Sequence, residues 1–268
     1  MYPNIVIDTP EYSIVIPAYN ESVQLPFTLP AIRKAMAAVD ARGELIVVDN
    51  NSSDDTARVA EQHGAKVVFE PVNMISKARN AGAKAATSQV LIFVDADTRP
   101  SAELLGTTLE QMARDDRTGG GAEVELDPQP NWLTRQFAKL WNWTSRQMSY
   151  PAGSYFFCRR DAFEDVGGFS ESLYASEEIW LARALKRWGR KQRPRRKLHV
   201  ISIPVVTSAR KLDNGPKLYG MLFLMLIFPF AVRFKGLCGY WYKREDHHAP
   251  GEVRDAIAPS PSQGEGGG

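Results

Sequence analysis

Two carboxylates one residue apart, Asp95-Ala96-Asp97, follow directly on the apolar run 91–94. Aspartates at that spacing on a strand end suit a hard divalent cation that keeps several waters and is completed by substrate phosphates. The same pair also makes an ordinary turn-forming pattern. A further acid, Asp49, ends the apolar pair Val47-Val48 and opens the polar stretch Asn50-Asn51-Ser52-Ser53-Asp54-Asp55-Thr56. At a strand's carboxyl end Asp49 can accept an N–H from a bound base, whereas Ser53, Asp54 and Asp55 read as a polar turn and helix cap. Pro17-Ala18-Tyr19-Asn20-Glu21 sets an aromatic ring and a carboxylate just past a first apolar run.

These residues need a scaffold that brings strand ends together. Apolar runs at 13–16, 44–48, 66–69 and 90–94 predict buried strands, the first closed by Pro17. Between them the pattern predicts helices near 29–39, 56–62 and 76–86, the last two capped by Ser53 or Asp54 and by Ser76. Continuous Val/Ile/Leu strands alternating with helices predict an α/β fold: a mostly parallel central sheet covered by helices, binding ligands beyond the carboxyl ends of its strands. The second half predicts a helix at 101–114, a strand near 122–126, an aromatic helix at 131–147, a strand at 154–158 and a helix at 177–188.

With 33 Lys+Arg, 31 Asp+Glu and 44% hydrophobic residues in 268, the chain is neither disordered nor strongly charged. Cys158 and Cys238 are too far apart for a zinc knuckle or a redox pair, so a reducing compartment is expected. The N-terminus lacks a basic region followed by a long apolar stretch, and a cytoplasmic catalytic part is expected. Residues 218–232 are apolar or small and include Pro229, short of the ~20 that span a bilayer, so this stretch is expected to dock at a membrane or in the core. From residue 246 the composition is that of a disordered tail.

In the order Ile16-Pro17-Ala18-Tyr19-Asn20-Glu21, Val47 to Thr56, Lys77-Ala78-Arg79-Asn80-Ala81-Gly82 and Phe93-Val94-Asp95-Ala96-Asp97, the sequence resembles the glycosyltransferases of family two, with their GT-A fold. The resemblance spans about residues 12–212 and implies transfer of a sugar from a nucleotide-sugar donor. An 11-residue leader would precede that domain, and an apolar, basic segment at 213–245 would follow it. Pro17, Tyr19, Glu21 and Asp49 would then line the base pocket. Arg79 and Asn80 would lie on the donor side, with Arg79 approaching the diphosphate from a helix N-terminus. Asp95 would contact the ribose and the metal, and Asp97 would ligate the ion, magnesium or manganese, directly.

The family also implies an acid beside the acceptor, after a Gly-Gly-Phe turn. Here Gly167-Gly168-Phe169 precedes Glu177-Glu178, where the family usually carries Glu-Asp. A carboxylate there can take the acceptor's proton in an inverting displacement. Periodicity does not choose between the two; alignment with the family favours Glu178, and the helix dipole accounts for the other.

Nine basic residues and no acid between Arg183 and Lys197 suggest, with 218–232, peripheral contact at the inner face of the cytoplasmic membrane and a carbohydrate or lipid-linked acceptor. No nucleic-acid motif accompanies the run. Trp132, Phe137, Trp141 and Trp143 are expected in a core or interface, and His199 as a structural histidine in an apolar strand. Two rival readings remain: a silent nucleotide-sugar sensor or scaffold, and a phosphatase of the haloacid dehalogenase type. The phosphatase motif wants Thr or Val where this chain has Arg99. A dinucleotide oxidoreductase lacks its G-x-G-x-x-G here.

Overall fold

The computed structural model describes residues 9–128, 132–173 and 176–209. Its elements run β1 (Tyr12–Ala18), α1 (Leu25–Ala37), β2 (Gly43–Asp49), α2 (Thr56–Gln62), β3 (Lys66–Phe69), α3 (Ile75–Ala85), β4 (Val90–Val94) and β5 (Thr98–Arg99). They continue with α4 (Ala102–Ala113), β6 (Arg117–Asp127), α5 (Trp132–Met148), β7 (Tyr155–Arg159), α6 (Arg160–Asp165), α7 (Glu177–Lys191) and β8 (Lys197–Ser208). One eight-stranded sheet has the order β3-β2-β1-β4-β7-β6-β8-β5. The first four strands pair in parallel, as their unbroken apolar runs predict. β7 then runs antiparallel to both β4 and β6, and β5 antiparallel to β8, so the sheet is mixed.

Side-chain alternation along the strands fills two cores. Ile14, Ile16, Ile92 and Val94 pack under α1 and α4, while Val15, Leu91, Phe93 and Phe156 pack under α3, α6 and α7. Helices thus cover both faces.

Several local expectations change. Pro17 does not close β1 but sits inside it opposite Val48, with Ala18 opposite Asp49. The pairing of β1 with β4 stops at Val15 and Phe93, so the missing N–H of Pro17 falls where that ladder has already parted. The resulting gap between the ends of β1 and β4 is the crevice at which strand order reverses. α1 starts at Leu25 rather than 29, because Leu25, Leu29 and Ile32 form its buried stripe and Pro26 is tolerated in the first turn. Ser76 does not cap α3; it lies buried inside the helix, which Met74 precedes.

α4 begins as predicted, with the Ser101 side chain accepting the Leu104 N–H at 3.1 Å. β6 is longer than its predicted core because it includes Gly119-Gly120-Gly121, a run that resembles a turn in sequence. A Cβ on Gly120 would lie 1.8 Å from the His199 carbonyl oxygen, so glycine is what allows β7, β6 and β8 to close up there. His199 itself is an exposed residue of β8. Of the aromatic residues of α5 expected in a core or interface, Trp132 and Trp143 are exposed, so neither belongs to the core. Residues 218–232, the segment 213–245 that holds them, the tail from 246 and the leader before residue 9 lie outside the described residues. Among the described residues no helix is long and apolar enough to cross a membrane.

Candidate active site

The loops after β1 and β2 are stitched to each other. Asn20 N–H donates to Ser52 Oγ at 3.0 Å, Ser53 N–H to Asn20 Oδ1 at 2.8 Å and Glu21 N–H to Thr56 Oγ1 at 2.8 Å. Asp54 takes the N–H of Ser22 at 3.1 Å and of Thr56 at 3.0 Å, so it serves the first turn of α2 although Asp55 occupies the capping position. Ser53 thus serves the turn and not the helix cap expected of it or Asp54, which falls to Asp55, while Asp54 still accepts an N–H in the first turn. Asn20 and Asn51 hold left-handed backbone, at φ 51° and 62°, a strain that these cross-links sustain.

Within this frame Asp49 is buried at the end of β2, its Oδ1 accepting the Ser52 N–H at 3.0 Å. Asn50 had no assigned part in the sequence. Its amide donates to the carbonyls of Glu70 and Val72 and accepts from Met74 N–H at 2.9 Å, pinning a third loop beside the first two. Tyr19 is partly exposed and Glu21 is buried. Pro17, Tyr19, Glu21 and Asp49 therefore share one end of the crevice.

Its other end is organised by one guanidinium. Arg79 is 2% exposed and donates to Glu177 Oε1 at 2.6 Å, to Asp95 Oδ1 at 3.0 Å and to the Gly153 carbonyl at 3.0 Å. The Phe169 ring lies 5.2 Å from its Cζ. Burial alone would lower the Arg79 pKa, but Asp95, Glu177 and Glu178 outweigh it and hold the group charged. This corrects the expected setting of Arg79. α3 starts at Ile75, so Arg79 lies a turn inside the helix and meets carboxylates, not an open N-terminus. Asn80 likewise serves structure: its amide donates to the Phe169 carbonyl and Glu171, and accepts the Phe169 N–H, holding the turn after Gly167-Gly168.

Asp95 keeps 23% side-chain exposure, while Asp97 is 6% exposed. Thr207 Oγ1 approaches Asp97 Oδ1 at 3.5 Å, and Ser208 N–H donates to the Asp97 carbonyl at 3.2 Å. The end of β8 thus lies against Asp97. No group of three or more acids, histidines or cysteines able to hold a metal occurs among the described residues. Two hard carboxylates at a strand end nevertheless fit a cation that takes its remaining oxygens from water and substrate phosphate.

The acid pair divides by its neighbours. Glu177 is buried against Arg79, whereas Glu178 is partly exposed. Burial first, then the charge of Glu177, push the Glu178 pKa up to about 8 against the pull of Arg79. α7 starts after Ser176 in left-handed conformation, φ 58°. Gly153, missed in the sequence, faces this cluster: a Cβ there would lie 3.3 Å from Arg79 Nη2 and 3.5 Å from the Glu178 carboxyl carbon.

A pH dependence follows. The folded chain keeps a proton on Glu178 that the unfolded chain releases near the ordinary value of 4.5, so this residue makes stability fall as pH rises from there to about 8. Glu178→Gln removes that loss, and its melting temperature should gain on the wild type across this window. Thermal melts at both ends check it; a pH-independent difference would contradict it.

Comparison with known proteins gives the family and the fold. The family described as glycosyl transferase family 2 matches residues 13–167. An uncharacterized glycosyltransferase of Mycobacterium tuberculosis is 45% identical over 161 residues, covering 58% of this chain and 70% of that protein. The undecaprenyl-phosphate 4-deoxy-4-formamido-L-arabinose transferase of Sodalis glossinidius is 29% identical over 158 residues, covering 56% of this chain and 48% of the relative. A mannosyltransferase of Pyrobaculum calidifontis, solved with GDP-Man and Mn2+, superposes with a TM-score of 0.61 at 19% identity, over 87% of this chain and 69% of that one. Glucosyl-3-phosphoglycerate synthase of M. tuberculosis, solved with Mn2+, UDP and glucosyl-3-phosphoglycerate, gives 0.54 at 19% identity, over 86% and 80% of the two chains. These structures share the GT-A fold with this chain.

Proposed function

The chain belongs to glycosyl transferase family 2, and from that premise we propose that it moves a sugar from a nucleotide-sugar donor to a carbohydrate or lipid-linked acceptor by a metal-dependent, inverting single displacement. The observation that carries this reading is the cluster in which Arg79 joins Asp95, at the end of β4, to Glu177 at the head of α7, with Glu178 beside it.

Pro17, Tyr19, Glu21 and Asp49 hold the base, and Asp95 the ribose. Asp97 and Asp95 hold the divalent cation. A bound magnesium or manganese ion offsets the charge that builds on the departing diphosphate. Arg79 acts from behind Asp95, fixing its carboxylate and contributing positive charge to the diphosphate end of the crevice. Asn80 supports the acceptor-side turn.

Glu178 takes the acceptor hydroxyl proton while that oxygen forms its bond to the anomeric carbon. The bond from that carbon to the diphosphate oxygen breaks on the opposite side, and the nucleoside diphosphate leaves. A base whose pKa lies near working pH is well matched to this transfer. The enzyme works at the inner face of the cytoplasmic membrane, with residues 190–197 and 218–232 as expected contacts.

Nucleotide sugars screened by thermal melting with and without manganese test the donor side. The matching donor at a hundred times its Kd should stabilise the wild type by about 2.7 kcal/mol. Asp97→Ala should lose the manganese-dependent part. An unchanged metal effect in that variant would overturn the ligand assignment, and tight binding without turnover on any acceptor would favour a sensor.

A further inference from the structure

α5 is built inside out for a helix on a soluble domain. Its small and polar residues face the sheet: Thr134 and Ser145 are buried, and the Asn142 side chain pairs with both the N–H and the carbonyl of Val124. Four of its large apolar residues are exposed instead, Trp132 at 69%, Leu140 at 59%, Trp143 at 55% and Met148 at 52%. A helix whose outer side were only solvated would reverse that arrangement. The helix contains Arg135, Lys139 and Arg146 and no acid. Arg146 pairs with Glu123, while Arg135 and Lys139 are exposed and line, with Glu125, a groove of about 200 Å³ between the helix and β6.

The neighbouring α7 extends the same chemistry. Lys186 donates to the Met148 carbonyl and sits 3.8 Å from the Tyr150 ring centre, so the two helices are joined at the end of α5. Trp180 is 37% exposed, and Arg183, Arg187 and Arg190 are exposed along α7.

We propose that the outer face of α5 is a membrane-seating surface whose partner is an anionic lipid bilayer. Trp132, Leu140 and Trp143 enter the interfacial layer, and Arg135 and Lys139, with the α7 arginines, meet anionic headgroups. Exposed tryptophans give apolar area at the level where indole is best accommodated, and a helix that carries cations and no acid of its own supplies the electrostatic part. The face lies within the described fold and needs nothing from residues 218–232.

The placement matters for the reaction. From Met148 the chain passes through Tyr150 directly to Gly153, whose carbonyl holds Arg79 beside Glu178. A seated α5 therefore brings the bilayer surface to the acceptor side of the crevice. This consequence rests on the proposed lipid-linked acceptor, whereas the contact itself is read from α5 alone.

The test uses the full-length protein and vesicles of phosphatidylcholine, alone or mixed with phosphatidylglycerol. Co-sedimentation and a blue shift of tryptophan emission are the readouts, and thermal melting is the fold control. The wild type should bind the mixed vesicles, less strongly at high salt, and the neutral ones weakly. Leu140→Ser with Trp143→Ser should weaken binding by at least about tenfold. Arg135→Gln and Lys139→Gln should each weaken it by about fivefold.

Donor hydrolysis without vesicles should be unchanged in these folded variants, which separates a failed membrane contact from a failed transferase reading. Wild-type binding by the α5 variants, or no binding by the parent, would overturn the inference. A dimer in sedimentation velocity that Leu140→Ser with Trp143→Ser dissolves, without vesicle binding, would also overturn it and make the face a contact between two copies.

Discussion

Glu178→Gln is expected to lower turnover by a factor of about 10² to 10⁴ while leaving donor affinity intact. The amide keeps the size of the carboxylate but cannot take the acceptor proton. Because Arg79 makes its hydrogen-bonded ion pairs with Glu177 and Asp95, loss of the Glu178 charge leaves both in place, and the fold should persist. Steady-state kinetics with isothermal donor titration separate the two effects: kcat falls and donor Kd does not.

Glu177→Gln should behave differently. It weakens the ion pair that fixes Arg79, so its main cost should appear in melting temperature. If Glu177→Gln slowed transfer more than Glu178→Gln in folded protein, the base would be Glu177.

Arg79→Met is expected to destabilise the chain by about 3–5 kcal/mol, because it strands the Glu177 carboxylate in a buried position without a counter-charge. In a domain of this size that corresponds to a fall in Tm of about 10 °C. Arg79→Lys keeps the charge but concentrates it on one ammonium, which cannot reproduce the fork that serves two carboxylates and the Gly153 carbonyl, so an intermediate loss is expected. Pairing Arg79→Met with Glu177→Leu should recover part of the loss, since the stranded acid is then gone. Chemical denaturation of the set measures these differences. A Tm for Arg79→Met equal to the wild type would show that the buried cluster does not hold β4 and α7 together.

The frame of the proposed donor side was legible in the sequence because the strands declare themselves. Unbroken Val, Ile and Leu runs place β1, β2 and β4 side by side, and the residues after them, Tyr19, Asp49 and Asp95, inherit a shared edge. The cap at Ser101 was equally legible, since it needs only a hydroxyl before a helix-forming stretch.

What sequence periodicity missed depends on distant partners. Arg79 and Glu177 are 98 residues apart, and nothing local to either states that they meet. The glycine run in β6 imitates a turn until the neighbouring strands are seen to need its missing side chains. Pro17 looked like a strand terminator because its tolerance depends on where the β4 ladder ends. The aromatic residues of α5 were expected in a core or an interface; tryptophan marks burial against something, and a single chain does not say whether that something is its own core.

The most direct test of the central claim is the configuration of the transferred sugar. With a matching donor, manganese and an acceptor, proton NMR of the early product should show the anomeric centre opposite to that of the donor, since one in-line displacement must invert it. Glu178→Gln should yield almost none of that product. A product retaining the donor's configuration would contradict the single-displacement account and the assignment of Glu178 as its base.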